Sequence, residues 1–368
     1  MKKIILFSNT CWSLYNFRIN LIKKLISKNY KIYILSNKDA TTKKLTKLGC
    51  VFYNISIDRR GVNFFDEIYC LLKIYQKIMK ISPDVLFNFT IKPIIYGSLV
   101  ARILKIKTLN TLDGLGATFE VNFIKKLIIS FLIKLSQKKI NLFYFVNTDD
   151  LNFFIEKNYV DQKKAKLIDG TGIDLKFFKY KKNKFSKKIK FLLISRLLYS
   201  KGIMNYLKSA EEISKKNKKK CLFLIAGITD DTIPDQIPKN ILEKEAKKSN
   251  TKIFYNVQDI RKLIYNSNCV VLPTNYNEGL PRSLLESAAS GRPLITTNVP
   301  GCLRVAKNNI NAFVYDRSKN NQLTKNMMKF ILLKKNKKIY MSKKSNYIAK
   351  KFDVLKILEK YINFLDDK

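Results

Sequence analysis

The chain contains no histidine. That absence removes Ser-His-Asp triads, Cys-His dyads, histidine-ligated zinc and any imidazole general base from its chemistry. Acidic residues are scarce as well: 28 Asp+Glu stand against 71 Lys+Arg, a formal net charge of +43. The six cysteines, Cys11, Cys50, Cys70, Cys221, Cys269 and Cys302, include no C-x-x-C pair, which excludes the common redox and zinc motifs. No charge-free apolar run approaches the ~18 residues a spanning helix needs. Met1-Lys2-Lys3-Ile4 leads directly into a strand pattern and not into a cleavable leader. Reduced thiols and a cytoplasmic location are therefore expected, with no transmembrane helix.

What is present is ample core material. Hydrophobic residues at 46% and aromatics at 12% exclude a disordered chain. A length of 368 residues exceeds one ordinary core and predicts two domains. Lysine recurs in almost every block of ten, so most of the positive charge belongs to solvated faces. Such a surface attracts polyanions, including nucleic acid, anionic lipid headgroups and nucleotide diphosphates. No nucleic-acid-binding module concentrates it, and nucleic acid is not expected as a partner. Arginine is rarer and its placement says more: Arg18, Arg196, Arg282, Arg292 and Arg304 all fall in the segments singled out below.

Apolar runs at 4–7, 32–35 and 85–89 read as buried strands, and the amphipathic stretches after residue 10, at 65–79 and at 96–104 read as helices. The pattern restarts at 188, with strands at 189–194, 221–226, 252–255, 269–272, 294–297 and 312–315 and helices between them. Continuous apolar strands alternating with helices predict an α/β chain of two doubly wound, Rossmann-like domains, each with a parallel sheet covered on both faces. The expected domains are 1–174 and 188–340, joined by a Lys-rich stretch, with 341–368 forming helices that return toward the first domain. Open α/β sheets bind ligands beyond the carboxyl ends of their strands, so the site is expected in a cleft between the two sheets.

The loop Ser195-Arg196-Leu197-Leu198-Tyr199-Ser200-Lys201-Gly202 puts two cations at a strand's carboxyl end, where a helix begins. Two cations and a helix N-terminus suit a diphosphate, and Gly202 lets the backbone come close. A sharper segment is Asn277-Glu278-Gly279-Leu280-Pro281-Arg282-Ser283-Leu284-Leu285-Glu286. It sets one carboxylate in a loop and another a turn inside the helix that follows, a pair suited to gripping sugar hydroxyls. Burial is not expected of either, because an unpaired buried carboxylate is costly. Asn147-Thr148-Asp149-Asp150 reads better as a helix start, with Thr or Asp as the cap, than as a metal site.

Together, Arg196…Lys201-Gly202, Glu278 to Glu286 with seven residues between, and Ser290-Gly291-Arg292-Pro293 resemble the donor-site signature of retaining GT-B glycosyltransferases of family-four type. Asp169-Gly170-Thr171-Gly172-Ile173-Asp174 is similar to that family's interdomain segment. Trp12-Ser13-Leu14-Tyr15-Asn16-Phe17-Arg18, Thr90-Ile91-Lys92-Pro93 and Pro300-Gly301-Cys302 resemble a bacterial subgroup that adds N-acetylgalactosamine or galactose to lipid-diphosphate-linked glycans. The resemblance implies a GT-B enzyme whose first domain takes the acceptor and whose second takes a UDP-sugar, moving a hexose or N-acetylhexosamine onto a polyprenyl-diphosphate-linked saccharide. By it, Arg196 and Lys201 hold the departing diphosphate and Glu278 the transferred sugar, while Gly202, Val257, Gly279, Leu280 and Glu286 complete the donor site. Asn16, Arg18, Asn88, Lys92, Asp113, Gly114 and Gly116 fall on the acceptor side. Asn88 stands where many relatives carry a histidine. No metal or cofactor is implied. A nucleotide-sugar epimerase of the same fold is the alternative reading, and oligomeric state is left open.

Ile124, Leu127, Ile128, Phe131, Leu132 and Leu135 share one helical face, ringed by Lys125, Lys126, Lys134, Lys138 and Lys139. Residues 123–139 read either as a peripheral membrane element or as a core-packing helix with solvated lysines.

Overall fold

Short apolar runs become the strands of two parallel sheets in the computed structural model, which describes residues 1–58, 64–115, 119, 122–186, 188–217, 221–229, 235–319 and 321–367. The first sheet contains β1 (Lys3–Thr10), β2 (Lys31–Asn37), β3 (Val51–Asn54), β4 (Val85–Phe89), β5 (Lys107–Leu112), β6 (Leu142–Phe145) and β7 (Ala165–Leu167), in the order β3-β2-β1-β4-β5-β6-β7. The second contains β8 (Ile189–Arg196), β9 (Cys221–Ile228), β10 (Thr251–Tyr255), β11 (Cys269–Leu272), β12 (Leu294–Thr297) and β13 (Ala312–Tyr315), in the order β10-β9-β8-β11-β12-β13. Both orders reverse direction once, between β1 and β4 and between β8 and β11. In each sheet the crevice for a ligand therefore opens at the carboxyl ends of those two strands.

The central strands are mostly apolar because both faces are covered. Ile4 and Leu6 of β1 enter one core, with the helices Cys11–Ser27 and Val354–Asp366. Ile5 and Phe7 enter the other, with Phe64–Ile81, Ile91–Leu104 and Phe123–Ser136. Tyr361 of Val354–Asp366 is buried, with its ring 5.6 Å from those of both Phe87 and Tyr144.

The chain divides into Met1–Gly172 with Val354–Lys368, and Ile173–Asp353. The first break thus falls within two residues of the expected 174, whereas the second lies beyond the expected 340/341. Residue 341 is inside the helix Lys335–Ala349, which buries Met341, Ser345 and Ile348, and Asn346 of that helix donates to the Ala289 carbonyl (2.6 Å). The Lys-rich stretch is anchored as well: Asn183 is buried and exchanges hydrogen bonds with Asn268, at 2.9 Å in each direction. Asn147, not Thr148 or Asp149, caps the helix Thr148–Glu156, accepting from the Asp150 N–H.

Candidate active site

In the second unit β8 ends at Arg196, and the chain makes a tight turn over Tyr199–Lys201 before the helix Ile203–Asn217. Gly202 makes this possible. It sits at φ +73°, and a Cβ there would lie 1.9 Å from the Pro273 carbonyl oxygen, so no other residue fits without displacing the backbone. Asp235 fastens the turn, accepting from the Ser200 N–H (3.1 Å) and from the Ser200 hydroxyl. The turn delivers Lys201, only 7% exposed, to Glu278: Nζ donates to Oε1 at 2.5 Å. The Thr274 hydroxyl donates to the same oxygen (3.0 Å). The Tyr276 ring lies against both cations, 4.2 Å from Lys201 Nζ and 5.9 Å from the Arg196 guanidinium carbon. This is a cation–π arrangement in which the ring's negative face offsets the crowding of two positive charges.

The Glu278 loop is pressed onto the helix Pro300–Val305. A Cβ on Gly301 would stand 2.2 Å from the Glu278 carbonyl oxygen and 2.3 Å from that of Gly279. Beside them Cys302 is buried, and its thiol is pushed up to about 12, by burial first and by the Glu278 carboxylate second. Glu286, on the helix Arg282–Ala289, accepts from Arg282 Nε at 3.0 Å. Burial raises its carboxyl pKa, and the Arg282 guanidinium opposes that rise. Both carboxylates are thus largely shielded from solvent, with side chains 11% and 13% exposed, against the expectation. What the sequence did not show is that each has a cationic partner, which removes the penalty for an unpaired charge. Gly279 is buried, and Val257 and Leu280 pack half-buried against the core beneath the same loops.

In the first unit Arg18 is 3% exposed, and its Nη2 lies 2.7 Å from each oxygen of Asp113, just beyond β5. Its guanidinium sits 4.5 Å from the Phe89 ring centroid. Burial, the largest influence, works against the charge, but Asp113 and the Tyr361 hydroxyl together outweigh it and the pKa rises. Asn16 is half-buried near the same helix start, its amide donating to the Trp12 carbonyl (2.9 Å). Lys92 pairs with Glu67, which also accepts from the Tyr96 hydroxyl. Between β4 and Lys92, Thr90 stands at φ 71°, ψ 155°, a conformation nearly confined to glycine and the kind of strain found at functional sites. Gly114 has φ +139°, and Gly116 lies outside the described residues.

Asn88 requires a correction. It is wholly buried and donates to Asn110 Oδ1 (2.8 Å), and Asn110 in turn bonds Ser98 and Gln137. Side chains alternate along a strand, so Asn88 points with Leu86 into the interior against Gly97 and cannot stand in for an exposed histidine. Arg292 and Arg304 also leave the site. Arg292 is buried, donating to the carbonyls of Ser267 (3.3 Å) and Lys181 (2.8 Å), and burial lowers its pKa to about 10. Arg304 stacks 5.6 Å from the Phe352 ring. Three residues went unread: Thr274, Tyr276 and Asp235. The first two had a signal in sequence, a hydroxyl and an aromatic just before Glu278. Asp235 had none.

Two parallel α/β sheets, the second with a pair of cations and a carboxylate at its switch point, define the GT-B fold. Residues 3–147 match the family model "Glycosyl transferase 4-like" and 175–348 match "Glycosyl transferases group 1". The chain is a glycosyltransferase of the GT-B fold, with a group 1 C-terminal half and a family-4-like N-terminal half. It is similar to the N,N'-diacetylbacillosaminyl-diphospho-undecaprenol alpha-1,3-N-acetylgalactosaminyltransferase of Campylobacter jejuni, at 25% identity over 96% of each chain. It is also similar to the UDP-Gal:alpha-D-GlcNAc-diphosphoundecaprenol alpha-1,3-galactosyltransferase of Escherichia coli, at 23% identity over 70% of this chain and 68% of that one. In fold it matches a glycosyltransferase from Rickettsia africae (TM-score 0.78, 19% identity, 100% of this chain and 99% of that one). Anabaena HepE, solved in complex with UDP, matches at TM-score 0.79 and 15% identity over the whole of both chains. Among the described residues no helix is long and apolar enough to cross a membrane.

Proposed function

We propose that the protein transfers a hexose or N-acetylhexosamine, with retention and without a metal, from a UDP-sugar to a polyprenyl-diphosphate-linked saccharide at the cytoplasmic membrane surface. The observation that carries this reading is the shielded Lys201–Glu278 pair beside Arg196 at the switch point of the second sheet. Both bonds to Glu278 converge on Oε1, so Oε2 is the atom offered to the donor sugar's hydroxyls. Arg196 and Lys201 neutralise the diphosphate as it departs, the part a metal ion takes elsewhere. Glu286 accepts from the ribose hydroxyls. The sugar C1–O bond to the diphosphate breaks while the acceptor oxygen bonds C1 on the same face. The acceptor's proton passes to the leaving diphosphate oxygen, so a chain without histidine has no need of an imidazole base.

The relatives named above act on undecaprenyl-diphosphate-linked sugars by their names, which supports the acceptor class. The test is a panel of UDP-sugars against synthetic polyprenyl-diphosphate saccharides, with mass and anomeric analysis of products and a chelator control. A sugar-extended acceptor of retained configuration, formed equally with chelator, is expected. Conversion of the UDP-sugar without any acceptor would instead identify an epimerase.

A further inference from the structure

The helices Phe64–Ile81 and Phe123–Ser136 both pack against Ile91–Leu104 on one side of the first sheet, and each has two apolar stripes. The inner stripes, Ile74 and Ile78 on the first helix and Ile129 and Ile133 on the second, enter the core. The outer sides of helices that cover a sheet are ordinarily polar. Here Phe65, Ile68, Tyr69 and Leu72 are exposed on the first helix, and Ile124, Leu127, Ile128 and Phe131 on the second. Both sets repeat at i, i+3, i+4 and i+7. Phe65 is 78% and Phe131 65% exposed, far beyond the scattered single apolar residues of an ordinary surface. Ile103, 66% exposed, adds to the apolar surface from the helix that both contact.

The charge around these stripes is predominantly positive, with Asp66 the one exposed acid on either helix among the described residues. Phe123–Ser136 contains no acidic residue and carries Lys125, Lys126 and Lys134. Phe64–Ile81 carries Lys73, Lys77 and Lys80, with the Lys73 ammonium 4.1 Å from the Tyr69 ring. Its acids are confined to the first turn, where Glu67 is already engaged by Lys92 and Tyr96.

We infer that the two outer stripes act together as a docking face for an anionic lipid bilayer. Apolar side chains ringed by lysines are the pattern of interfacial helices, and each lysine near an anionic leaflet adds roughly fivefold in affinity. A second copy of the chain does not fit, because it would bring the same lysines against the same face at a net charge of +43. The inference rests on the proposed reading that the acceptor is membrane-borne, and its test needs no acceptor.

The full chain is mixed with acceptor-free vesicles of phosphatidylcholine, with or without phosphatidylglycerol, and sedimented at low salt. Binding to the anionic vesicles alone is expected. Leu127→Gln with Phe131→Gln, and separately Ile68→Gln with Leu72→Gln, should each weaken it about tenfold or more. Lys125→Glu with Lys126→Glu should weaken it as well, and all three variants should keep the wild-type melting temperature and UDP affinity. A wild type that stays in the supernatant, or an Ile68/Leu72 variant that binds as tightly as wild type, would overturn the inference. So would self-association that these substitutions dissolve. Failed vesicle binding with intact UDP affinity leaves the proposed function standing. Loss of UDP affinity by the wild type removes that function and not the docking face.

Discussion

Each sheet holds a cation–carboxylate pair near the carboxyl ends of its central strands, and the two pairs are built for different ends. In the first, Arg18 lies equidistant from both oxygens of Asp113, and an aromatic ring, Phe89, backs the guanidinium. In the second, the Lys201 ammonium meets one oxygen of Glu278, and Tyr276 backs the cation. A guanidinium that engages both oxygens is a completed contact that gains nothing by letting go. An ammonium is a point charge that can turn toward another anion while its carboxylate retains Thr274. The first pair braces; the second is transferable.

The largest expected effect falls on the transferable pair. Lys201→Ala and Arg196→Ala should each lower turnover about 10²–10³-fold, the usual loss for one preorganised charge at a developing anion. Lys208→Ala, exposed on the neighbouring helix, should match wild type. Equal activity in all three would erase the distinction. The brace should show itself in stability: Asp113→Asn leaves the Arg18 charge buried and should cost about 1–3 kcal/mol in denaturant unfolding, reduced from a fully buried pair because Asp113 is 37% exposed. If Asp113→Asn instead abolishes turnover at unchanged stability, the first pair is catalytic too.

Glu286 sharpens the comparison through pH. Its carboxyl pKa is raised, so its protonated form favours folding. That contribution is full below the ordinary glutamate value and fades as pH rises through the raised one. Donor binding runs the other way, since hydroxyls need the carboxylate. UDP affinity should weaken on acidification, beginning above pH 4.5, the ordinary value for this group. Calorimetry should find Glu286→Gln about tenfold weaker and flat across that range. The smallest effect is expected at Asp235→Ala, which frees the Ser200 turn and should lower turnover by about 1 kcal/mol, the worth of one hydrogen bond, with UDP affinity little changed.

The sequence displayed those parts of the fold whose physics is local. β1, β4, β8 and β11 read as strands because burial on both faces leaves continuous apolar runs in them. β5, Lys-Thr-Leu-Asn-Thr-Leu, did not, because Asn110 is buried through a polar network spread over Asn88, Ser98 and Gln137, which no window of sequence contains. Arg196, Lys201, Glu278 and Glu286 were legible through their spacing. Their pairing was not: Lys201 and Glu278 meet only because the sheet order sets β8 beside β11. The same ordering hid Asp235, which reaches Ser200 through the adjacency of β8 and β9. The misreading of Asn88 came from counting along a strand without knowing which side its odd and even residues face.

All six cysteines are interior thiols, and burial lifts the thiol pKa of Cys11, Cys50, Cys70, Cys269 and Cys302. Alkylating reagents attack the thiolate, so the native enzyme should be nearly silent toward them. Each labelling event then becomes a timestamp for the opening of one region. Cys302, lodged beside the Glu278 carboxylate, is a reporter set under the proposed donor site, and the slowing of its modification by a nucleotide would register that site's breathing without a single catalytic turnover.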